Sequence, residues 1–210
     1  MRVQLDSILN IIRQNLNDRY HRGFPVIKEL IQNADDAKAT RFDFGLSPGL
    51  PHASHPLLQR PGLFVINDGG FTERDTAAIN SIGLSSKPAD HAAIGKFGLG
   101  LKSVFHFCEA FFYLHSEQRQ LKLVNPWADD REHDRVHPAW NDVDPKDADL
   151  LIEHLRTILR PDAYFCLWIP LRRREDHAKI APITNYYPGD TVHTGENLFA
   201  LEHKNEANLY

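Results

Sequence analysis

The sequence predicts an α+β sandwich: one mixed, mainly antiparallel sheet covered by helices on one face, with a doubly wound parallel fold as the alternative. Three observations predict it. Segments with helical and strand periodicity interleave along the chain. The early strand candidates lie too far apart for a tight hairpin. The 210 residues are 42% hydrophobic and 25% charged, enough for one large domain with an ordinary core.

Residues 4–17, "QLDSILNIIRQNLN", repeat Leu5, Ile8, Leu9, Ile12 and Leu16 at helical spacing. "RYHRGFP" breaks that helix. A second helix runs from Pro25 to Lys38, with Pro25 suited to the first turn. Its apolar stripe is Val26, Ile27, Leu30, Ile31 and Ala34. "TRFDFGL" alternates apolar and polar residues and reads as a strand. The four prolines of residues 47–62 make a loop, and "LFVIND" at 63–68 is the next strand. "TERD" can cap a short helix. A glycine-punctuated loop then leads into the apolar helix "LKSVFHFC". "AFFYLHSE" and "RQLKLVNP" form a hairpin, "DADLLIEHLRTIL" a helix, and "AYFCLWIPL" (163–171) a buried strand. The domain is expected to span 1–175. Residues 176–210 show no clear pattern and read as a carboxy-terminal extension, truncated or dependent on a partner.

Net charge is −4, with no long basic run, so bulk charge does not support nucleic-acid binding. "PLRRREDH" at 170–177 reads as a strand end with solvated arginines. No stretch of about 18 apolar residues is present, so no membrane span is expected. Cys108 and Cys166 sit in apolar company and read as buried free thiols of a reducing compartment, the cytoplasm. His133 and His137 have metal-like spacing but lack a third ligand nearby.

The second helix carries the first chemical signal. Glu29 and Asn33 differ by about 40° around its axis, and Asp36 returns to nearly the same line. Two carboxylates and an amide therefore face one volume. Asn33 offers a neutral oxygen to Mg²⁺, a hard cation that commonly bridges to phosphates. Glu29 stands one turn away, where it can polarise a water. A solvated helix face is the plain alternative. Further on, Asp68 closes a strand and is followed by Gly69 and Gly70. That order suits a carboxylate on a pocket rim, with glycines that let a flat ring approach the backbone; it also suits a simple turn. "IGKFGLGLKS" at 94–103 places Gly95, Gly98 and Gly100 before an apolar segment, with Lys102 supplying charge. The spacing fails as a P-loop because Leu101 intervenes before Lys102 and Ser103.

"IKELIQNADDAKAT", "NDGGFTERD", "IGLSSK" and "GKFGLGLKSVFHF", in this order over residues 25–108, resemble the nucleotide boxes of the GHKL ATPases. That superfamily includes the ninety-kilodalton heat-shock chaperones, DNA gyrase B, MutL and sensor histidine kinases. The sacsin-type branch is the nearest likeness. The resemblance implies the Bergerat two-layer sandwich, with ATP and Mg²⁺ as ligand and cofactor. It implies Glu29 as general base, Asn33 as Mg²⁺ ligand, Asp68 as adenine contact beside Gly70, and Asp36 as support for the pocket. Gly95, Phe97, Gly98 and Gly100 would form the phosphate loop, with Lys102 and Ser103 beyond it. Ser86 and Lys87 would hinge a lid over 84–95. The chain departs from the family at two places. The acid–glycine box is compressed, which leaves Asp68 and Asn67 as alternative adenine contacts. Phe165 and Cys166 stand where a Gly-Thr pair often leads the later strand.

These features imply slow Mg-dependent ATP hydrolysis that drives lid closure in a sacsin-like chaperone or switch. Its output would pass through a nucleotide-dependent homodimer, a protein client or downstream domains. The alternatives are a nucleotide-binding module without turnover and an ATPase module of a nucleic-acid-processing or phage-defence system.

Overall fold

Runs of apolar residues make the central strands, and those strands decide the architecture. The computed structural model describes residues 9–10, 12–14, 16, 24–73, 75–77, 79, 100–127, 140, 143–159, 164–177 and 182–193. Five strands, β1 (Phe42–Ser47), β2 (Gly62–Asn67), β3 (Phe111–His115), β4 (Lys122–Val124) and β5 (Phe165–Pro170), form one open sheet in the order β1-β2-β5-β3-β4. Every pairing is antiparallel, which excludes the doubly wound alternative. The expected β3–β4 hairpin forms. Strands β2, β3 and β5 are buried along their whole length.

Register explains how. Phe44, Val65, Leu167 and Tyr113 share one row, and Gly45, Phe64, Trp168 and Phe112 share the next. Adjacent rows point to opposite faces. On the first face Phe71 stacks on Phe165, and Phe105 of a 3₁₀ helix (Leu101–His106) packs against Phe111 at 5.5 Å. Helix α1 (Phe24–Asp36) packs on that 3₁₀ helix. On the second face His154, which ends α2 (Pro145–His154), meets Trp168, and His55 meets Phe112. Both faces are therefore covered, which corrects the one-face expectation. The proline-rich loop supplies part of the second cover. It is tied down because buried Asp147 accepts the Ser54 and His55 amides at 2.7 and 2.9 Å.

Helix α1 ends where its sequence changes character. Lys38 takes a left-handed conformation (φ 62), and the Ala39 amide reaches back to the Ala34 carbonyl at 2.9 Å. The pattern is a Schellman stop with lysine in the place glycine prefers. Val26, Ile27, Leu30 and Ala34 are buried as expected, but Ile31 is 44% exposed. It sits about 100° from Leu30, on the flank opposite Asn33. The segment "LKSVFH" is a 3₁₀ helix rather than an α-helix.

The cause of that tight turn is a buried guanidinium. Arg172 donates to the carbonyls of Phe105, His106 and Cys108 at 2.7, 2.7 and 2.5 Å. Its Nε is ion-paired with Glu109, and both residues are buried. Glu109 also accepts from Trp127 Nε1 (3.1 Å) and from the Ile183 amide (3.1 Å to Oε1). Arg172 reaches Thr184 Oγ1 and the Tyr186 carbonyl, and Arg13 reaches the Pro182 and Ile183 carbonyls. Sequence reasoning assigned these carboxy-terminal residues to an extension beyond 175; here 182–190 is bonded to the core. The last described helix, α3 (Pro188–His193), follows. Cys108 and Cys166 are free and buried, and burial pushes the Cys166 thiol up to about 12.

Arg172→Ala should lower the unfolding free energy by about 3–5 kcal/mol, because it strands the Glu109 carboxylate in the core. Urea denaturation reads this directly, and a loss below about 1 kcal/mol would contradict the role given to the network.

Candidate functional site

Helix α1 presents its polar line along one border of its buried stripe. Asn33 lies nearest that stripe and is buried, whereas Glu29 and Asp36 are half-buried. The Asn33 Nδ2 has no hydrogen-bond partner. A buried donor left unpaired costs about 1–3 kcal/mol, so proteins rarely leave one without a use.

The 3₁₀ helix brings the end of the glycine segment to the same place. A Cβ built on Gly100 would collide with Oε2 of Glu29 and lie 3.3 Å from its Cδ. Gly100 has an ordinary helical φ of −63°, so what glycine provides here is space for the Glu29 carboxylate. Ser103 is fully buried and its Oγ has no partner. Lys102 is buried, and among the described residues no carboxylate pairs with it; burial lowers its pKa. The Glu29–Gly100 contact joins the helix that carries Asn33 to the 3₁₀ helix that carries Lys102 and Ser103. Two of these side chains, Asn33 and Ser103, carry a buried polar atom without a hydrogen-bond partner.

The strand-end acid behaves differently. Asp68 accepts from Thr40 Oγ1 at 2.6 Å, from the Thr40 amide at 2.7 Å and from the Arg41 amide at 2.8 Å. These bonds hold the α1–β1 connection. The Thr40 hydroxyl first, then the Arg41 amide, pulls the carboxylate down to about 2. Neighbouring Asn67 is buried, and its Oδ1 accepts the Gly69 amide at 3.0 Å. Of the two glycines, Gly69 is the confined one: a Cβ there would meet Ala37 Cβ at 2.7 Å. Sequence reasoning singled out Gly70 instead, which borders open space. The Gly70 amide bonds the Ala37 carbonyl at 3.1 Å and so fixes this turn to the end of α1.

Lys87, Gly95, Phe97 and Gly98 lie outside the described residues, as do Ser86, the 84–95 segment, His133 and His137. Among the described residues no helix is long and apolar enough to cross a membrane. Phe71 and His115 form an aromatic contact that the sequence pattern does not show. Phe71 is half-buried against Phe165, Tyr113 and His115, and the buried His115 has an unpartnered Nε2. One histidine among twelve, at the end of an apolar run, carries no distinguishing pattern.

Residues 6–145 match the family pattern described as the Sacsin domain. Over 212 residues the chain is 29% identical to sacsin of Homo sapiens, a match covering 90% of this chain and 4% of that protein. Over 108 residues it is 34% identical to Protein NO VEIN of Arabidopsis thaliana, covering 51% of this chain and 4% of that protein. The chain thus corresponds to a small part of the length of either relative.

Two outcomes follow from the geometry. Gly100→Ala should leave the melting temperature within about 2–4 °C of wild type, because only the flexible end of Glu29 must yield. Its crystal structure should show that carboxylate displaced; an unmoved Glu29 would contradict the contact. The depressed Asp68 pKa makes a stabilising contribution that is complete above pH 4 and is lost as pH falls toward 2. Asp68→Asn should flatten that part of the acid-denaturation curve, and an unchanged curve would show that the three hydrogen bonds do not stabilise the fold.

Proposed function

The chain belongs to the sacsin-domain family, and from that premise we propose that it binds Mg·ATP at the α1–Gly100 junction and hydrolyses it slowly. We further read the domain as a Bergerat sandwich of the GHKL type, on the strength of its four ordered motifs. The observation that carries the proposal is the contact of Glu29 with Gly100, on two elements that also carry two unpaired buried atoms, Asn33 Nδ2 and Ser103 Oγ, and Lys102, which has no carboxylate partner among the described residues. A triphosphate supplies what these groups lack: acceptor oxygens for the lysine and the hydroxyl, and negative charge in a poorly hydrated site.

Mg²⁺, when bound, would neutralise charge on the phosphates. Asn33 fits it, since a half-turn of the amide presents Oδ1 in place of Nδ2. Among the described residues no cluster of three or more His, Cys, Asp or Glu side chains could hold a metal. That suits a cation that takes few protein ligands and fills its shell with phosphate and water.

Glu29 is half-buried and has no fixed partner among the described residues. It would accept a proton from the attacking water while the bond between the γ-phosphorus and the bridging oxygen breaks. Lys102 would offset charge on the phosphates, and Ser103 would donate to a phosphate oxygen. Gly100 keeps the floor of the site low enough for the carboxylate. The 84–95 segment is, on sequence grounds, the part that would close over the nucleotide. The output would be a sacsin-like conformational switch acting on further domains or a client.

Phosphate release should fall at least a hundredfold in Glu29→Ala while ATP affinity stays within about threefold of wild type. Asn33→Ala should remove the Mg²⁺ dependence of ATP binding in titration calorimetry. If wild type and Glu29→Ala both bind ATP and neither turns it over, the domain is a nucleotide-binding module without hydrolysis.

A further inference from the structure

We propose that the outer edge of β1 is an interface with a second copy of this chain, in which the two β1 strands pair antiparallel about Phe44 and join two sheets into one. The inference is independent of the nucleotide reading. It starts from what the edge exposes. Among the described residues the exposed large apolar side chains are Ile31, Phe44 (46%) and Leu46 (39%). Phe44 and Leu46 stand on the first face of β1, two residues apart, beside half-buried Phe42. Ile31 belongs to α1, in the layer over that same face.

The strand lacks the devices that protect an edge from pairing. It holds a regular six-residue register with β2, with no bulge and no proline. Its one charged residue, Asp43, is already bonded to Arg41 at 2.6 and 3.1 Å. Its backbone phase is fixed as well. The Arg41 amide turns inward to Asp68 at the end of β2, at 2.8 Å. On the far side of β2 the Leu171 amide bonds the Pro61 carbonyl, which gives the same phase. Odd-numbered residues of β1 therefore bond to β2, and Phe42, Phe44 and Leu46 turn their N–H and C=O groups to the outer edge.

That phase and the sequence select one register. Two copies of a strand pair antiparallel only where outward-turned residues oppose each other, so the two-fold axis passes through a residue. Centred on Asp43, two carboxylates would face each other, which repels. Centred on Gly45, Phe42 would face Pro48, which has no N–H to donate. Centred on Phe44, that ring faces its counterpart, Phe42 faces Leu46, Asp43 faces Gly45 and Arg41 faces Ser47. No like charges meet, every outward amide and carbonyl from 42 to 46 gains a partner, and six apolar side chains form one strip on the first face.

Analytical ultracentrifugation of the 210-residue chain without nucleotide tests the pairing. The wild type should be a dimer that dissociates on dilution. Phe44→Lys and Phe44→Glu, which each place like charges at the centre, should weaken it at least about tenfold. An equal mixture of the two should dimerise again, because a lysine then faces a glutamate. Phe44→Cys serves if the charged variants fail to fold: mild oxidation should link two copies, since directly opposed residues lie about 5.5 Å apart at Cα. A wild type that is monomeric at all concentrations overturns the proposal. So does a dimer that both charged variants retain, a mixture that stays monomeric, or a Phe44→Cys chain that does not cross-link.

Discussion

The Arg172 guanidinium is the constraint on which the rest of the molecule depends. Five N–H groups in a fixed fork meet three carbonyls at the end of the 3₁₀ helix, the Glu109 carboxylate and the carboxy-terminal segment. Taking a charge of each sign out of water is costly, and only dense hydrogen bonding makes such a pair tolerable. That density fixes where the 3₁₀ helix ends, and so where it begins. The 3₁₀ helix is thereby packed against α1, and the Glu29 carboxylate occupies the space a methyl group on Gly100 would take. Burial pushes the Glu109 carboxyl up while Arg172 opposes it.

A second consequence concerns the polar groups left over. The network satisfies the donors of Arg172, whereas Ser103 Oγ and Asn33 Nδ2 have no hydrogen-bond partner and Lys102 has no carboxylate partner among the described residues. A fold able to saturate one polar cluster so fully would not leave the neighbouring one unsatisfied for want of acceptors. The imbalance is the physical ground for reading the second cluster as a binding site. Asp68 belongs on the saturated side, since its contacts serve the chain connection between α1 and β1.

Much of this was legible in the sequence. The helical period of "VIKELIQNA" gave both the buried stripe and the polar line beside it, and the apolar runs gave four of the five strands within a residue or two. Local pattern reports local structure well. It reports less about what lies against what. The second covered face of the sheet depends on Asp147 capturing a loop some ninety residues earlier. The order β1-β2-β5-β3-β4 inserts the last strand into the middle of the sheet, which no local signal encodes. Arg172 looked like one of several solvated arginines in "LRRRED" because composition cannot show which of three neighbours turns inward. Within the site, Glu29 and Asn33 were visible as an i, i+4 pair. The unpaired burial of Ser103 Oγ was not, because it comes from tertiary packing.

The central claim is that the Glu29–Asn33 face and the Gly100 segment together hold a metal-bound triphosphate. A crystal structure grown with Mg²⁺ and a non-hydrolysable ATP analogue tests it most directly. The account predicts an octahedral Mg²⁺ with Asn33 Oδ1 at about 2.0–2.1 Å, a water between Glu29 and the γ-phosphate, and Lys102 and Ser103 on phosphate oxygens. An analogue bound elsewhere on the molecule, with the Asn33 amide and Ser103 hydroxyl still unpaired, would contradict it.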